Sequence, residues 1–149
     1  MNMEVPVALK LDHDELRADL EKASKESGPI GAAARELASV ALPHMAREEK
    51  TAFPALGLLS ELASGDVGPE MAAVLPLIAE FVSGHNAFLA DHQRIAYRLQ
   101  MLLEAARKEG SDRFSQLAYK GMVHERIEEA VIYPTIVLIG KYIRQQLKR

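Results

Sequence analysis

The chain has 149 residues, enough for one domain with a real core and too few for a comfortable second. Its 18 Lys and Arg against 21 Asp and Glu leave a charge of −3, so no basic excess draws it to phosphate, and nucleic acid is not an expected partner. Cysteine is absent, which excludes disulfides, thiolate zinc sites, cysteine nucleophiles and iron–sulfur clusters.

No segment alternates apolar and polar residues with a β-branched bias, so the expected fold class is all-α. A first helix is expected from Val7 to Ser27, with the inward stripe Leu9, His13, Leu16, Leu20 and Ala23, ended by Ser27-Gly28-Pro29. A second runs from Ile30 to Leu62 along Leu37, Val40, His44, Glu48, Thr51, Ala55 and Leu58. Pro43 and Pro54 lie inside it, and each is expected to kink it or remove a backbone hydrogen bond. A third starts near Pro69 and ends near Glu109-Gly110, with an interruption expected near Pro76 or Ser83-Gly84. Its stripe is His85, Phe88, Leu89, His92, Ile95, Ala96, Leu99 and Leu103. A fourth, capped by Ser111 or Asp112, runs to the C-terminus along Leu117, Gly121, His124, Ile127, Glu128, Val131, Thr135 and Leu138. Long amphipathic helices with short loops favour an up-down-up-down four-helix bundle filling residues 1–149.

The apolar run Val131–Ile139 is too short for a membrane span, which needs about 20 residues. It reads as deep core or as half of a homodimer interface. The N-terminus carries acidic residues and no long apolar run, so no signal peptide and a cytoplasmic location are expected.

Two segments match each other. His44-Met-Ala-Arg-Glu48-Glu49-Lys-Thr-Ala-Phe53-Pro54 and His124-Glu-Arg-Ile-Glu128-Glu129-Ala-Val-Ile-Tyr133-Pro134 both read H-x3-E-E-x3-aromatic-P, 80 residues apart. Asp12-His13 matches Asp91-His92 at an offset of 79. The chain therefore reads as an internal repeat with a pseudo-twofold axis.

On a helical wheel each His and the Glu four residues later lie about 40° apart on one face. All four of these, with His13 and His92, fall inside apolar stripes. A carboxylate is almost never buried without a partner, and the facing stripes offer few cations. A shared metal resolves the conflict most cheaply. Two carboxylates and four imidazoles form a dinuclear set, with Glu48 and Glu128 bridging, two histidines on each metal, and open positions for solvent and a small exogenous ligand. Imidazole with carboxylate suits iron first, then manganese or zinc.

The remaining polar residues have plainer readings. Glu49 and Glu129 are expected to be solvated or to support the ligands from behind. Asp12 and Asp91 are on the wrong side to help their own helices' histidines and read as helix-start acids. Tyr97, Tyr119 and Tyr133 read first as core packing, with a redox role or a hydrogen bond to a metal-bound ligand as the alternatives.

With these motifs the chain resembles the hemerythrin-like, HHE cation-binding family over essentially its whole length. The resemblance implies a helical bundle holding a non-haem di-iron centre, with His13, His44, Glu48, His92, His124 and Glu128 as ligands. It departs from oxygen carriers, which have H-x3-H on the third helix, where Phe88 and Ala96 stand four residues either side of His92. His85 is the remaining histidine, seven residues and about 10.5 Å along the axis from His92. It is a core histidine, a fifth histidine ligand or a base behind the site. Oxygen carriers also place the last carboxylate five residues after its histidine, at Glu129, whereas regular helix geometry favours Glu128. The implied function is binding or sensing of a small diatomic ligand, O2 or nitric oxide, or the handling of peroxide. Rival expectations are a peroxidase- or catalase-like enzyme, an iron-responsive structural switch, and repair of iron clusters. The family's repair proteins carry a cysteine-containing segment that has no counterpart here.

Overall fold

A computed structural model describes residues 1–149, and all of its regular secondary structure is helical, without a strand. The α-helices are α1 (Val7–Ser24), α2 (Gly28–Arg47), α3 (Leu59–Ala63), α4 (Leu75–Ser83), α5 (His85–Lys108), α6 (Asp112–Ile127) and α7 (Tyr133–Leu147). The four long helices close a ring of contacts, α1 on α2, α2 on α5, α5 on α6 and α6 on α1. No single helix is long and apolar enough to cross a membrane.

The expected third helix is broken where its glycine stands. A 3-10 turn over Pro69–Val74 leads into α4, and the chain then bends by 55° at Gly84 before α5. Gly110, at φ +70°, makes the reversal between α5 and α6 that a residue with a Cβ rarely adopts.

The expected second and fourth helices each lose regular α-helical spacing part-way along. After α2 the chain widens into a π-turn over Glu48–Ala52, then tightens to a 3-10 turn over Phe53–Leu58. After α6 a second π-turn covers Glu128–Ile132, and α7 follows directly. Each π-turn stops just before a proline, Pro54 or Pro134. A proline lacks the N–H for the bond four residues back and its ring strikes that carbonyl, so a wider turn ahead of it relieves the clash. Pro43, by contrast, sits within α2 and does not end it.

The second π-turn corrects the stripe expected for the fourth helix. The extra residue rotates everything after it. Val131 and Leu138, expected inside, are 57% and 65% exposed, while Ile132, Tyr133, Ile136, Ile139 and Ile143 are buried; Ile127, also expected inside, lies ahead of the π-turn and is 48% exposed. The run at 131–139 is thus neither all core nor all surface.

Two apolar clusters fill the interior. One holds Leu16, Leu20, Leu37, Met45, Ile95, Leu99 and Leu117. The other holds Phe53, Leu58, Phe81, Phe88, Tyr133 and Ile136. Along α1 the side chains pass from the second cluster (Leu9) to the first (Leu16), and along α5 likewise, from Phe88 to Ile95. Along α2 and α6, with the segments that follow them, the order is reversed, from Met45 to Ala52 and from Leu117 to Ile132. In all four cases the crossing falls at a buried histidine or glutamate. The polar residues therefore form a layer between two dry cores.

Candidate metal centre

Six residues meet in that layer. His13, Glu48, His124 and Glu128 form one group and His44, Glu48, His92 and Glu128 a second, each with its ligand atoms within 4.8 Å of one another. Either group can hold a metal ion, and both glutamates belong to both. His85 is in neither: it is half-buried, its ring 5.6 Å from Phe81 and 5.9 Å from Tyr133, two members of the second apolar cluster.

All four imidazoles turn Nε2 inward. In the first group His124 Nε2 is 3.1 Å from Glu128 Oε2, and His13 Nε2 is 3.5 Å from Glu48 Oε1 and 3.7 Å from Glu128 Oε2. In the second, His92 Nε2 is 3.1 Å from Glu128 Oε1, and His44 Nε2 is 3.5 Å from Glu48 Oε1.

All four also turn Nδ1 outward onto a carboxylate. His13 donates to Glu49 at 2.9 Å, His44 to Asp91 at 3.1 Å, His92 to Glu129 at 2.8 Å and His124 to Asp12 at 2.6 Å. This fixes the tautomer and leaves the Nε2 lone pair for an incoming cation. The reading of Asp12 and Asp91 as helix-start acids is corrected here. Each aspartate faces away from the histidine beside it in sequence, and that direction carries it to a histidine on the next helix of the ring. The four carboxylates thus stitch α1 to α6, α2 to α5, α1 to the first π-turn and α5 to the second.

Two carboxylates sharing one dry layer hold their protons differently. Burial raises Glu48 to about 7, the Glu128 carboxylate adding to the rise against the pull of His44. Burial also opposes charge on Glu128, but the surrounding rings of His124, His13 and His92 overcome it and hold that carboxyl well below its usual range. Burial works against protonated His92 and His124 as well, yet Glu128 together with Glu125 and Glu129 around His92, and with Asp12 and Glu48 around His124, outweighs it, and both rise to about 9.

Two residues at the site lay outside the expected ligand set. Tyr133, read first as packing, donates its hydroxyl to Glu48 Oε2 at 2.7 Å and sits 3.1 Å from His92 Nε2. The aromatic position in both repeated segments was the available signal. Glu125 is buried beside the layer, and burial raises it to about 7. Its position in the other segment is Met45, so the repeat gave no hint of it.

The donor set fits a cation on structural grounds. His13 Nε2, His124 Nε2, Glu48 Oε1 and Glu128 Oε2 are all buried and make no well-formed hydrogen bond, although His124 Nε2 and Glu128 Oε2 stand close as an ion pair. Each such orphan costs roughly 1–3 kcal/mol. Four of them facing one point are satisfied together by one metal ion, and imidazole with carboxylate is the donor chemistry of iron, manganese and zinc. Comparison with protein-family models, with curated proteins and with solved structures found no match to this chain.

Proposed function

We propose that the chain is a hemerythrin-like protein, an up-down-up-down four-helix bundle with an internal pseudo-twofold repeat around a non-haem di-iron centre. Its role in this reading is to bind or sense O2 or nitric oxide, or to handle peroxide. The observation that carries it is the pair of four-residue groups sharing Glu48 and Glu128. The reversal of core order along α1, α2, α5 and α6 supports the bundle, and the matching π-turns at Glu48 and Glu128 support the repeat.

Iron held there would supply electron exchange with the small ligand. The chain's own residues do the rest. His13, His44, His92 and His124 bind through Nε2. Glu49, Asp91, Glu129 and Asp12 hold those rings in place. Glu48 and Glu128 span both positions and balance charge, and the Tyr133 hydroxyl fixes one oxygen of Glu48. The two apolar clusters exclude water from both sides of the layer.

The test is metal content per chain after growth with iron, with absorbance followed through anaerobic reduction and re-exposure to air. About two irons with ligand-dependent bands are expected for this donor set. An absence of any transition metal would sink the proposal.

The four orphaned atoms favour a second reading, in which loading itself is the signal and a partner senses the metal-stabilised fold. Metal-free protein melting as high as the loaded form would remove it.

A further inference from the structure

A cavity of about 50 Å³ lies among α1, α2, α5 and α6, on the first-cluster side of the polar layer. Leu16, Leu37, Ile95, Leu99 and Leu117 form its apolar wall, and His44, His124 and Glu128 of the layer border it. On this measure a water fills roughly 10–15 Å³ and a cavity of about 150 Å³ admits benzene. The space therefore suits a molecule of two to four heavy atoms.

One further polar residue is among those that border this cavity, whose surface is almost wholly apolar. Glu125 is only 9% exposed, borders the cavity, and its Oε1 has no hydrogen-bond partner. It belongs to neither ligand group. Met45, the residue at its position in the other segment, lines the same cavity. An apolar gas needs no carboxyl there, and a charged molecule is disfavoured by the dry wall and by Glu128. The remaining match is an uncharged molecule with one apolar and one hydroxyl-like end. Solvent is close: His124 also lines the open groove between α1 and α6, with Ala8, Asp12, Val123 and Ile127.

We propose that this cavity docks short-chain alkyl hydroperoxides, with methyl hydroperoxide as the fitting size, and that Glu125 hydrogen-bonds the hydroperoxyl end. It rests on the di-iron reading for what happens to the molecule next, but the pocket itself can be tested without iron.

The probe is xenon, followed by 129Xe NMR on zinc-loaded protein, which cannot turn a hydroperoxide over. Saturable xenon binding is expected, and methyl hydroperoxide should displace it at about a tenth of the concentration needed with bulkier tert-butyl hydroperoxide. In Glu125→Leu xenon should bind at least as well, while displacement by methyl hydroperoxide weakens about tenfold, the worth of one hydrogen bond. Gly121→Ala should abolish xenon binding, because its Cβ would meet Leu99 Cδ2 at 2.7 Å and drive that side chain into the cavity. Xenon that fails to bind, or that ignores Gly121→Ala, overturns the pocket. Displacement unchanged in Glu125→Leu, or equally good with the bulky hydroperoxide, overturns the assignment of ligand and residue. A chain that binds xenon as described but takes up no iron would contradict the di-iron reading and leave the pocket standing.

Discussion

The two ligand groups share both glutamates, yet they are not copies. Around His13 and His124 the nearest aromatic is Phe53, its ring 5.0 Å from His13, and every inward atom of that group's four side chains that faces the centre is orphaned. Around His44 and His92 the corresponding aromatic is Tyr133. Its hydroxyl bonds Glu48, and the two Nε2 atoms stand 3.1 Å apart within its reach. The second group is therefore partly hydrogen-bonded by protein atoms alone, while the first has only its ion-pair contacts and gains more from a cation. One oxygen atom, present in Tyr133 and missing in Phe53, makes two positions inequivalent that the backbone places alike. Filling the first position should stabilise the fold more than filling the second.

The largest test of this comparison removes what the groups share. Glu48→Ala or Glu128→Ala should take metal content from two per chain to none, whereas His13→Ala should lower only the first position and leave the second near full. Titration with metal analysis separates these outcomes, and loss of a single metal in Glu128→Ala would refute sharing. Tyr133→Phe should make the groups alike. It leaves Glu48 Oε2 without its donor and should lower the stability of metal-free protein by about 1–3 kcal/mol, read from denaturant midpoints.

Much of this arrangement can be read from residue types. The repeated H-x3-E-E segments mark the histidines and glutamates that the structure brings together, and Gly84 marks the break in the third helix. Two things resist such reading. A π-turn changes the phase by one residue without any periodic trace, so Val131 and Leu138 look buried on a regular wheel and are exposed. Contacts between helices are also invisible to a single-helix wheel. Asp91 points away from His92, and only the placement of α2 reveals that His44 is its target. Glu125 had no repeat partner to draw attention to it.

Proton occupancy gives the next test, and its sign differs between metal-free and loaded protein. In the metal-free fold His92 and His124 are raised to about 9 from 6.5. Their contribution is complete below pH 6.5 and is lost as pH climbs through 9. Glu48 and Glu125, raised to about 7 from 4.5, act in the same sense. The unfolded chain sheds those protons first, so stability falls between pH 4.5 and 7. The lowered carboxyls of Glu49 and Glu128 matter only on the acid side, where their contribution is lost as pH drops below 4.5. Metal-free protein should thus melt progressively lower from about pH 5 to 9. Loaded protein should resist this, since metal competes with the same protons and binds better as they leave. Melting curves with and without chelator would show the two forms diverging; parallel curves would contradict it.

The supporting carboxylates should have smaller effects, and unequal ones. Asp12→Asn or Asp91→Asn should weaken metal binding about 10- to 100-fold by loosening a ring. Asp91 is buried and held by Arg47 and Arg94, so its loss should also destabilise the fold, whereas Asp12 is half-exposed and has no arginine or lysine partner. The same contrast separates Glu49, bonded by Arg17, from the more open Glu129. The residue that follows His92 by four, where Arg17 follows His13, is Ala96. Arg17→Met tests the smallest part of this difference. With the guanidinium 29% and the carboxylate 17% exposed, solvent screens much of the pair, and the stability loss should stay within about 1 kcal/mol. Its clearer mark should be on metal off-rates. Without Arg17, only Lys10 at 3.6 Å steadies Glu49, so His13 should be held less firmly, and dissociation from the first position should quicken while the second stays unchanged.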